Sequence, residues 1–66
     1  MDKQKELENI YNNYVNGNRK NMVEQIDEYG TYDFFEDFVS FLLDFVSDNW
    51  EKTFVDVVIT YHKIKG

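Results

Sequence analysis

"YGTYDFFEDFVSFLLDFVSDNW", Tyr29 to Trp50, holds five of the chain's six Phe and neither Lys nor Arg. At about 100° per residue of helix, with Asp33 set at zero, Asp37, Ser40, Asp44, Ser47 and Asp48 fall within about 60° of it. Glu36 lies beside them. Phe34, Phe35, Phe38, Val39, Phe41, Leu42, Leu43, Phe45 and Val46 cover the opposite arc of about 200°, roughly twice what a surface helix needs. The segment therefore reads as a helix that is central to the fold or offers part of its apolar face to another molecule. Thr31 is placed to cap it, and Asp33 stands near its positive end.

Upstream, Leu7, Ile10, Tyr11, Tyr14 and Val15 recur at helical spacing and predict a first helix, with Asp2 as N-cap. Gly17 sits where a left-handed terminating residue belongs. Asn18 is the expected N-cap of a second helix, Arg19 to Tyr29, whose apolar face is Met22, Val23, Ile26 and Tyr29. Gly30 is expected to close it in the same way. Two helices that each end in Gly followed by a polar residue argue for short connections within a bundle.

Downstream, two patterns compete. Asp48 and Glu51 have capping-box spacing for a fourth helix, Asn49 to Lys63, with the stripe Trp50, Phe54, Val57, Val58 and Tyr61. The stretch "FVDVVITY", Phe54 to Tyr61, also alternates and is rich in β-branched residues, as a strand would be. No second strand is evident to pair with it, which favours the helix. The expected fold is all-α, a compact three- to four-helix bundle, with the C-terminal segment as a strand kept as the alternative. A chain of 66 residues without a linker or repeat predicts one small helical domain, residues 1–66.

With 18% aromatic residues the chain has the means to build a core, although one this small supplies only a few kcal/mol. There is no Cys, so disulfides and thiolate metal sites are excluded, which fits a cytoplasmic setting. The start, "MDKQKELEN", has no apolar run behind its charges, so no signal peptide is expected. "FVSFLLDFV" is too short and too interrupted to span a membrane.

No catalytic set emerges. His62 is the only histidine, and Ser40 and Ser47 belong to the acidic stripe of another helix, so no triad is indicated. Glu24, Asp27 and Glu28, and likewise Asp33, Glu36 and Asp37, have helical spacing but lack the calcium-loop pattern and any Glu-x-x-His pair. Phosphate-loop patterns are missing too. "NGNRKN", Asn16 to Asn21, is the one basic loop, and it reads as a solvated turn. No enzyme activity, cofactor or metal is expected.

Charge is the remaining signal. Thirteen acids against seven bases leave a net charge of −6, and from Glu24 to Asp56 there are ten acids and one base, Lys52. Direct nucleic-acid binding and anionic membranes are disfavoured by that sign, and a basic protein surface is favoured. Asp33 with Asp37, Asp44 with Asp48, and Glu24 with Glu28 put like charges at i, i+4, which mildly destabilises a helix. Four residues of helix rise about 6 Å, close to the spacing of phosphates along a strand. A rigid acidic helix centred on Asp33, Glu36, Asp37, Asp44 and Asp48 can thus fill a basic groove shaped for nucleic acid. The competing reading is a solvated face without a partner.

The stretch "YNNYVNGNRKNMVEQIDEYGTYDFFEDF", Tyr11 to Phe38, resembles small uncharacterised accessory proteins of phages and mobile elements. Those often open with a helix, an Asn-Gly-Asn-type turn and a short helix. The resemblance covers less than half the chain and transfers no residue role. It implies an accessory protein that binds a host factor, the class to which anti-restriction and anti-CRISPR inhibitors belong, several of them acidic nucleic-acid mimics. The leading expectation is a non-catalytic acidic interaction protein that docks on a basic surface of a host protein, in its most concrete form an inhibitor of a nucleic-acid-handling protein. The alternative is a homodimeric structural or regulatory module with a Phe-rich seam.

Overall fold

The computed structural model describes residues 2–66. They form four α-helices and no strand: α1 (Lys3–Val15), α2 (Arg19–Tyr29), α3 (Thr31–Phe45) and α4 (Trp50–Lys65). Each helix packs on the next, and α1 with α3 and α2 with α4 close the bundle. The Cα radius of gyration is 10.7 Å, against about 10.8 Å for a compact chain of this length.

The core takes side chains from all four helices: Leu7 and Ile10, then Met22, Val23 and Ile26, then Phe34, Phe38, Phe41 and Leu42, then Val57 and Tyr61. Helix α3 supplies the largest share, as its wide apolar arc requires. Its rings form a ladder along the helix. Phe34 stacks on Phe38 at 4.7 Å, Phe38 on Phe41 at 6.0 Å, and Phe41 on Phe45 at 4.5 Å between centroids. Phe34 and Phe38 are wholly buried, each worth about 1.5–3 kcal/mol relative to exposure. Phe45, at the end of the ladder, is exposed.

The segment Phe54 to Tyr61 is helical, which removes the strand alternative. An isolated strand would leave its backbone groups unpaired, whereas a helix satisfies them locally and costs only a few tenths of a kcal/mol per β-branched residue. The helix also runs two residues past Lys63, to Lys65. Val57 and Tyr61 are buried, and Trp50 and Phe54 pack against the core.

The helix ends depart from expectation more than the helices do. Asp2 caps α1 as expected, accepting from the Gln4 N–H at 3.1 Å. Asn18 occupies the N-cap of α2 but makes no side-chain cap bond. Its amide instead reaches Asn13 Oδ1 at 3.5 Å. Thr31 does not cap α3 but is its first residue, and Gly30 holds the cap position with φ 105° and ψ 111°. That conformation lies outside the left-handed helical region expected for Gly30 and is open to glycine alone. It lets one residue end α2, through its N–H to the Ile26 carbonyl, and begin α3, through its carbonyl to the Phe34 N–H.

The proposed Asp48–Glu51 capping box does not form, because Asn49 rather than Asp48 holds the N-cap position, in a left-handed conformation with no side-chain cap bond. Helix α3 already stops at Phe45. The N–H groups of Val46 and Ser47 both donate to the Leu42 carbonyl, and Ser47 then turns left-handed at φ 52°.

Candidate docking face on the third helix

Measured from the buried Phe38 at about 100° per residue, Asp37, Asp44 and Asp33 occupy one flank of α3 within about 40°, and Glu36 lies about 60° beyond. Asp33, Glu36 and Asp44 are exposed, and Asp37 is half-buried. Asp48 falls in the turn after the helix, also exposed, so it extends the acidic area without belonging to the helical row. Ser47 leaves the row for the same reason, and Ser40 stays on it, exposed.

Asp37 is not a free carboxylate. Its Oδ2 accepts from the Tyr29 hydroxyl at 2.6 Å. Burial raises the Tyr29 pKa above its ordinary value, and the hydrogen bond and negative charge of Asp37 raise it further. Lys3 of α1 lies over the Tyr29 ring, 5.9 Å from its centroid. Lys3, Asp37, Ser40, Asp44 and Phe45 line a common groove of about 270 Å³ between α1 and α3. Among the described residues the one ion pair is Lys65 with Asp27, at 2.7 Å, so no base within salt-bridge distance neutralises Asp33, Glu36, Asp44 or Asp48.

The same Tyr–Asp device recurs twice. The Tyr14 hydroxyl donates to Asp56 Oδ2 at 3.0 Å, joining α1 to α4, and Arg19 lies over the Tyr14 ring at 5.6 Å. Burial and the Asp56 bond raise the Tyr14 pKa. The Tyr61 hydroxyl donates to Asp27 Oδ1 at 2.7 Å and lies 3.0 Å from Thr31 Oγ1, tying α2, α3 and α4 together. Hydrogen bonds from Lys65 and then Tyr61 hold the Asp27 carboxyl below its ordinary range, and Asp27 in turn raises the Lys65 pKa. Three of the ten acids in the central block therefore serve the fold. The signal for this was present in the sequence. A tyrosine on an apolar stripe needs a partner for its hydroxyl, and six of the ten acids in the central block are Asp.

His62 is exposed in the last turn of α4, its ring 5.8 Å from that of Tyr61. Among the described residues no three His, Cys, Asp or Glu side chains gather as a metal-binding group, and no helix is long and apolar enough to cross a membrane. Comparison with protein families, with curated proteins and with solved structures finds no match.

Proposed function

We propose that the chain is a non-catalytic interaction protein that docks the acidic flank of α3 onto a basic surface of another protein. Asp33, Glu36, Asp37 and Asp44 form the row, with Asp48 in the following turn. The supporting observation is that four of these five carboxylates are exposed and lie outside the one ion pair among the described residues. Unpaired like charges on one rigid element attract a basic surface over a distance set by ionic strength.

The most concrete form is an inhibitor of a host nucleic-acid-handling protein of the anti-restriction or anti-CRISPR kind, its carboxylates standing where phosphates would lie. The test is capture from bacterial lysate with the wild type and with the Asp33→Asn/Asp44→Asn variant. The expected partner is released by salt, competed away by double-stranded DNA and missed by the variant. Capture that survives both the salt and the substitutions would sink the reading. The homodimer alternative has less of its seam to use, because Phe34, Phe38 and Phe41 are in the core and Phe45 is the exposed Phe of α3.

A further inference from the structure

The flank of α3 opposite Asp37 and Asp44 is apolar and uncovered. Tyr32 is 88% exposed, Leu43 is exposed, and Phe35 and Val39 are half-buried. Tyr32, Val39 and Leu43 stand at i, i+7 and i+11, one stripe about 16 Å long. Phe35 lies edge-on to Phe54 and to Tyr61 of α4, so the floor of the stripe is held by the core. Thr31, Tyr32, Phe35, Glu36 and Val39 line an open groove of about 380 Å³ here. Its one charged wall is Glu36, and Asp33 is one helical turn away; neither is ion-paired among the described residues.

We propose that this groove receives a cationic amphipathic helix of the partner protein. The inference rests on the acidic docking reading and narrows the partner's chemistry. A stripe of about 16 Å matches about three turns of helix, whose apolar residues at i, i+3 or i+4, i+7 and i+11 run the length from Tyr32 past Val39 to Leu43. Lys or Arg on the border of that helix reaches Glu36 and Asp33. The sign of the charge chooses among occupants. A second copy brings another −6 and another Glu36 to the contact, and nucleic acid brings phosphates. A basic helix alone satisfies both the apolar floor and the acidic wall.

The test uses the full chain, labelled for NMR, and two synthetic peptides of identical Leu and Lys content, one with Leu at helical spacing and one shuffled to remove it. The patterned peptide is expected to shift the Tyr32, Phe35 and Val39 signals and to bind at least about tenfold more tightly than the shuffled one. The Tyr32→Ser/Leu43→Ser variant, altered only at exposed positions, is expected to lose that advantage while binding the shuffled peptide as before. Equal binding of the two peptides, or patterned binding that shifts other residues, overturns the groove and leaves the acidic reading standing. Absence of binding by either peptide at low salt overturns both. Shifts at Tyr32 and Val39 that follow the protein's own concentration assign the groove to a second copy and also overturn the proposal.

Discussion

The Tyr29 hydroxyl of α2 donates to Asp37 of α3 at 2.6 Å, across a junction one residue long at Gly30. The bond joins two neighbouring helices and occupies the one half-buried member of the acidic row. Tyr29 rests on Phe34 in an edge-to-face contact at 6.1 Å, so its ring is fixed as well as its hydroxyl.

Tyr29→Phe is expected to lower stability at neutral pH by about 0.5–1.5 kcal/mol, the usual net worth of one hydrogen bond. The pH dependence follows from the raised Tyr29 pKa. Its contribution is fully present below the unfolded value of 10.0 and is lost as the pH rises through the higher folded value. The variant should therefore lose less stability than the wild type on going above pH 10. Urea midpoints at neutral pH and at successive alkaline values measure both effects.

Phe38→Ala and Phe45→Ala separate the two ends of the ring ladder. Phe38 is wholly buried, and truncating such a residue costs about 3–5 kcal/mol, comparable to the whole stability of a domain this small. The variant should be largely unfolded by circular dichroism at room temperature. Phe45 is 54% exposed, and its truncation should cost well under half as much.

Gly30→Ala tests the junction between α2 and α3. A Cβ there would meet Asp33 Oδ2 at 3.8 Å, an ordinary contact, so the penalty comes from the backbone at φ 105°. A loss of about 1–3 kcal/mol is expected. Gly17→Ala, at a positive φ of 82° with open space around it, should cost roughly 1 kcal/mol. A larger loss at Gly17 than at Gly30 would contradict this account.

Asp44→Asn is expected to raise the thermal midpoint slightly while weakening partner capture. Asp44 lies in the last turn of α3, at the negative end of the helix, where an acid is unfavourable. Opposite effects on stability and binding are the signature of a residue kept for recognition. A fall in both would mean that Asp44 serves the fold.

The apolar spacing in the sequence was enough to locate the helices, because a chain with so many rings has few ways to bury them. Leu7 and Ile10, Met22 and Ile26, and Phe34 and Phe38 all lie inward as their periodicity requires. The ends were less legible. Thr31 and Asp48 are good capping residues, but backbone conformation at Gly30 and Asn49 decides where α3 and α4 start. That choice depends on packing between helices rather than on local preference. The acidic row was readable as far as Asp44. Its interruption before Asp48, and the engagement of Asp37 by Tyr29, depend on where α3 stops and on which helix lies beside it.

The one-residue joint at Gly30 leaves no slack between α2 and α3. Extra chain inserted there would have to push one helix off the other, whereas the exposed turn from Ser47 to Asn49 has room to lengthen outward. A loop inserted in that turn leaves the acidic helix anchored to its neighbour but interrupts the docking face at Asp48, so a fluorophore or affinity tag for binding work belongs in the other exposed turn, Asn16 to Asn18.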